Sequence, residues 1–78
     1  MVDPDAPTPP YRQVAAILAE RIRSGDLVAG RRVPSEKTLQ QEYGIARGTA
    51  RKVVAVLRDQ GMVYTVPGRG TYVGTEPE

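Results

Sequence analysis

Arg47, Thr49, Arg51 and Lys52, with Gly48 among them, place three cations and a hydroxyl within six residues. A guanidinium donates paired hydrogen bonds to phosphate or to guanine O6 and N7, and a threonine serves a phosphate or a thymine methyl. The run therefore carries chemistry for gripping a polyanion. Lys37 adds a fourth cation upstream. Downstream, Gly68, Arg69 and Gly70 set one guanidinium between two residues that let backbone come close to a partner. Chemistry for turnover is missing. The 78 residues contain no histidine and no cysteine, which removes the commonest general base, the thiolate nucleophile and the usual zinc ligands. No acid pair falls at a recognisable spacing, so neither an enzyme nor a metal or cofactor site is expected.

The cations are unevenly spread. From Arg31 to Val73 eight basic residues oppose three acidic ones, whereas four acids oppose three bases before that stretch and two acids follow it. A basic middle between acidic ends favours a polyanionic partner. The chain length fits one small domain with an aliphatic core, because Phe and Trp are absent, and leaves no room for a second domain. Nor does it leave room for a ligand cavity of about 300 to 1,000 Å³, so no small-molecule effector site is expected. No apolar run approaches a membrane span, and the first residues lack the features of a secretory signal. The expected compartment is the cytoplasm, on the nucleoid when bound, with no membrane partner.

The elements that must position these residues follow from periodicity and punctuation. Met1 to Pro7 and Gly74 to Glu78 read as disordered tails around a folded unit from Thr8 to Val73. Thr8 is placed to cap a first helix whose first turn accepts Pro9 and Pro10, and Val14, Ile17, Leu18 and Ile22 give it an apolar stripe that Gly25 ends. Arg31 to Val33, ahead of Pro34, allow only a very short edge strand. Ser35 caps a second helix carrying Leu39 and Tyr43 inward, and Gly44 breaks it. A third helix runs to Gly61 with Ala50, Val53, Val54 and Leu57 inward and Arg47, Thr49, Arg51, Lys52 and Arg58 mostly outward. Met62 to Val66 and Thr71 to Val73 then form a β-hairpin around Pro67-Gly68-Arg69-Gly70.

The fold class is mainly α with a small hairpin, a winged helix-turn-helix of three helices plus wing. Two short helices sharing one apolar seam, the second with a basic outer face, are the arrangement that inserts a helix into the DNA major groove. The expected partner is double-stranded DNA, with Arg47, Thr49 and Arg51 exposed together on the recognition helix and Arg69 entering the minor groove. One such module covers only about 600 to 1,000 Å² of DNA, so a homodimer on an inverted repeat is expected, formed through the first helix, the tails or the DNA. The bland alternative for the basic residues is a solvated surface. Arg31 and Arg32 either touch phosphate or keep an edge strand soluble; Lys52 and Arg58 supply general electrostatics, with a neighbouring acid as the other partner for Arg58; Tyr43 and Tyr72 read as core. Two other readings stand beside DNA regulation: a protein-interaction adaptor docking a protein partner, and an excised module of a larger regulator.

Several spaced blocks resemble the amino-terminal DNA-binding domain of GntR-type bacterial transcription regulators. They are Gly25-Asp26-Leu27, Gly30, Val33-Pro34-Ser35-Glu36-Lys37, Leu39, Tyr43-Gly44-Ile45, Arg47, Thr49, Arg51, Leu57, Gly61 and Gly68-Arg69-Gly70-Thr71-Tyr72-Val73. The resemblance covers about Tyr11 to Val73. It implies DNA contact by Lys37 at the start of helix two and by Arg47, Thr49 and Arg51 on the recognition helix. It places Gly68 and Arg69 at the wing tip and makes repression at a promoter the expected role. Against the family pattern, Ala46 replaces the usual Ser or Thr and forfeits a cap worth about 0.5 to 2 kcal/mol. Gly48 lowers helix propensity by up to about 1 kcal/mol but opens the backbone to close approach. Thr38 leaves the capping box of helix two incomplete, and Gln40 replaces a small residue. Family members ordinarily add a carboxy-terminal domain that binds a metabolite and forms the dimer, so this chain reads as a stand-alone DNA-binding domain.

Overall fold

Proline at the first helical position costs no hydrogen bond, and the first helix starts there. In the computed structural model, which describes residues 2–75, the order is α1 (Pro10–Arg23), α2 (Glu36–Tyr43), α3 (Arg47–Asp59), β1 (Val63–Val66) and β2 (Gly70–Val73). The expected cap is corrected: Pro9 is the N-cap residue of α1 and no side chain caps it, while the Thr8 carbonyl accepts from Gln13 Nε2 at 2.8 Å. Gly25, Gly44 and Gly61 all take positive φ just past the helices they end. The short strand over Arg31 to Val33 contracts to one bridge, Arg32 to Tyr72, with Val33 N–H bonded to the Thr71 carbonyl.

Helical spacing brings one apolar stripe from each helix to a common centre. Val14 and Leu18 of α1, Leu39 of α2, and Ala50, Val53 and Leu57 of α3 are fully buried, and Val63 and Val73 close the core from the hairpin. Each large aliphatic side chain removed from water contributes about 1.5 to 3 kcal/mol. Tyr43 packs against this core from its margin, half-buried, and its hydroxyl accepts from Arg21 at 3.5 Å. Arg21 also bonds Asp26 at 2.7 Å; these two hydrogen bonds, that to Asp26 first, raise its pKa above the ordinary arginine value.

Tyr72 departs from its core expectation. The antiparallel register pairs Val63 with Val73 and Tyr64 with Tyr72, and strand alternation then sends the tyrosines to the face opposite the buried valines. The two rings stack there with centroids 5.8 Å apart.

Of the stretch read from composition as a disordered tail, Val2 and Asp3 meet the helices, while Asp3, Pro4, Asp5 and Pro7 stay exposed to solvent. Gln13 makes a clamp: Asp3 N–H donates to its Oε1 and its Nε2 donates to the Asp3 carbonyl, each at 2.7 Å, while Val2 packs on the core margin. A polar helix residue supplies these partners, and composition carries no sign of them. At the other end Gly74 N–H bonds the Met62 carbonyl, and Glu76 to Glu78 of the expected acidic tail lie outside the described residues. Among the described residues no helix is long and apolar enough to cross a membrane.

Candidate nucleic-acid interface

Ser35 sets the direction of α2. Its Oγ accepts from Thr38 N–H at 3.1 Å and lies 3.0 Å from the Thr38 hydroxyl, so Thr38 supports the cap that its lack of a carboxylate leaves incomplete. Glu36 follows in the first turn, where the helix dipole favours an anion. Gly44, in the left-handed region at φ 64°, turns the chain, and α3 begins at Arg47 after Ala46, which offers no capping oxygen.

This turn points the start of α3 outward. The side chains of Arg47 and Arg51 are 71% and 64% exposed and one helical turn apart, and both guanidiniums approach the same carboxylate: their Nε atoms lie 3.9 and 3.8 Å from Glu36 Oε1. At these separations and exposures the pairs orient more than they stabilise, each adding about 0 to 1 kcal/mol. Two arginine forks are thus held side by side on an outer helix face with their paired donors available. A Cβ built on Gly48 meets no atom within 4 Å, so the backbone beside the forks is open.

The remaining expected residues are distributed less simply. Thr49 is only half-exposed, bordering a groove with Val2 and Ile45, so it does not share the full exposure of Arg47 and Arg51. Lys52 is exposed on the α1 side, its Nζ 5.5 Å from the Tyr11 ring centroid, which Arg12 also approaches at 5.4 Å. Lys37 is exposed on the first turn of α2, next in sequence to Glu36.

The wing is built by its turn. Arg69 N–H bonds the Val66 carbonyl at 3.0 Å, and Pro67 followed by Gly68 at φ 75° is the residue order of a type II turn. Gly70 at φ 125° completes the tip and leaves Arg69 exposed. The wing is joined to α3 by Arg58, whose partner is not an acid: its guanidinium donates to Thr65 Oγ1 at 3.0 Å, and Thr65 lies 3.3 Å from the Thr71 hydroxyl. Sequence reasoning missed this tether and the bridging role of Glu36. Both depend on packing between elements, and no local pattern signals either. Among the described residues no cluster could hold a metal ion.

The model of the bacterial regulatory proteins, gntR family, matches residues 10–73. The mannosyl-D-glycerate transport/metabolism system repressor MngR of Escherichia coli K12 is 40% identical over 68 residues, covering 87% of this chain and 28% of that protein. The HTH-type transcriptional repressor NagR of Bacillus subtilis is 33% identical over 72 residues, covering 92% of this chain and 30% of that protein. The chain spans less than a third of the length of these two relatives. Among solved structures, AraR(DBD) in complex with operator ORR3 superposes with a TM-score of 0.81 at 32% identity, covering 95% of this chain and 89% of that one. Three helices and a wing in matching order, and a family match over nearly the whole described fold, place this chain among the bacterial regulatory proteins of the gntR family.

Proposed function

We propose that the chain binds duplex DNA sequence-specifically and regulates transcription as a repressor, with α3 in the major groove and the wing in the adjacent minor groove. The observation that carries this reading is the pair Arg47 and Arg51, exposed one turn apart on the outer face of α3 and oriented by one carboxylate. Such forks match guanine O6 and N7, and each good bidentate contact discriminates by about 1 to 3 kcal/mol. Lys37, Lys52 and the start of α3 serve phosphates, Gly48 admits close approach, and Thr49, partly covered on the exposed first turn of α3, reaches the duplex beside them. Arg69, between Gly68 and Gly70, enters the minor groove. The repressor names of the relatives and the operator in the AraR complex support the same role. Two copies on an inverted repeat supply the contact area that one module lacks. A DNA-reading role accounts for this site without enzymatic chemistry, and places the chain in the cytoplasm.

Selection from a random duplex pool at near-physiological salt tests the proposal. The intact chain is expected to enrich an inverted repeat of fixed half-site spacing, and Arg47→Ala with Arg51→Ala to lose that enrichment while remaining folded. Unchanged enrichment by the double variant would remove the proposed reading helix from the mechanism. Enrichment of a single half-site would restrict the reading to a monomeric module.

A further inference from the structure

The bridge between Arg32 and Tyr72 extends the Tyr72–Tyr64 pair into a three-residue row across the sheet. The row is in contact from end to end: the tyrosine rings stack, the Arg32 guanidinium lies over Tyr72 with Cζ 5.9 Å from the centroid, and Arg32 Nε donates to the Tyr72 hydroxyl at 3.5 Å. An arginine resting on an aromatic shelf has lost part of its side-chain entropy before any partner arrives. The guanidinium is nevertheless exposed and keeps its terminal nitrogens free of ion pairs among the described residues.

Its location gives it a partner. Arg32 borders a groove of about 230 Å³ between the wing and the start of α2, together with Ser35, Glu36, Val54, Arg69 and Thr71. A helix in the major groove and a wing in the next minor groove must straddle the sugar–phosphate strand that divides them. On the DNA-binding reading above, that strand would cross the space between wing and helices. The one acid in the groove, Glu36, faces Arg47 and Arg51, so the wing side is left to two arginines. A Cβ on Gly70 would come to 3.9 Å from Arg32 Nε, which places the wing tip directly beside the guanidinium.

We propose that Arg32, braced on Tyr72 at the groove between wing and α2, binds a backbone phosphate of the DNA strand separating the two grooves that the domain occupies. The inference rests on the DNA-binding reading above and adds to it a contact that carries register without base specificity. Salt-dependent binding of the full chain to the enriched duplex and to a scrambled duplex of equal length tests it. Arg32→Gln, which keeps a stem and a polar head over Tyr72, is expected to weaken both duplexes by the same factor, roughly tenfold. It should also reduce the slope of log K against log salt by about 0.9. Arg32→Lys restores most of that slope. Thermal unfolding of each variant verifies that the hairpin is intact. An unchanged affinity and slope in Arg32→Gln, while Arg47→Ala with Arg51→Ala abolishes discrimination, would overturn the phosphate role and leave the parent reading standing. A loss confined to the enriched duplex would make Arg32 a base reader and overturn it equally. Absence of duplex binding by the intact chain would remove the parent reading and this one together.

Discussion

Arg47 and Arg51 share one acceptor at 3.9 and 3.8 Å, and a carboxylate that close attracts both guanidiniums while they approach whatever they read. Glu36 therefore acts as an internal competitor. It lowers attraction for any phosphate nearby and leaves the strongest gain to a partner that supplies two well-placed acceptors to each fork. Glu36→Gln is expected to tighten binding to scrambled duplex by a few-fold, with less change on the enriched sequence, so the ratio between them falls. Competition binding at two salt concentrations measures this, and an unaltered ratio would reduce Glu36 to a surface anion. The chemistry of this residue pair was half legible in the sequence. The exposure of both arginines follows from their offset against Ala50, Val53 and Leu57, but their common acceptor lies on another helix, and its reach depends on the interhelical turn.

The elements themselves are legible where the signal is local. Ser35 caps α2 because a hydroxyl followed by a helical run meets the free amides of its own first turn. Gly44 breaks it because only a residue without Cβ takes the left-handed turn cheaply. Legibility fails where partners are distant. Thr8 resembles Ser35 as a cap, yet the two prolines after it shift the helix start and its carbonyl goes to Gln13. Tyr72 reads as core because aromatic residues among valines usually lie there, whereas the hairpin register decides its face. The start of α3 offers a test at this scale. Ala46 has an extended N-cap backbone and no capping oxygen, so Ala46→Ser is expected to stabilise the domain by about 0.5 to 2 kcal/mol. For a chain of this size that corresponds to a rise in Tm of several degrees, roughly 4 to 8 °C per kcal/mol, in a thermal melt. A lowered or unchanged Tm would mean that the amides of the first turn are already satisfied.

For the molecule as a whole, stability is concentrated in few side chains. A domain of 78 residues is expected to hold about 4 to 12 kcal/mol in total, and Leu18, Leu39 and Leu57 are each completely buried. Leu57→Ala should cost about 2 to 5 kcal/mol, enough to unfold much of the protein if its total stability lies near the lower end of its expected range. Urea titration followed by circular dichroism measures it, and a cost below about 1 kcal/mol would show that the hairpin collapses into the space. DNA binding should fall with the folded fraction, unlike the loss in Arg47→Ala, which leaves the unfolding curve in place.

The Gln13 clamp has a consequence for how such a domain can be joined to others. Because Gln13 holds Asp3 in both directions and Val2 packs beside the turn that leads into α3, the chain passes Val2 at a fixed point next to the recognition helix. A module fused ahead of Val2 would begin its linker there rather than at the end of a floppy tail. Linker length would then set the effective concentration of that module over the bound duplex directly, with no slack of six or seven residues to average over.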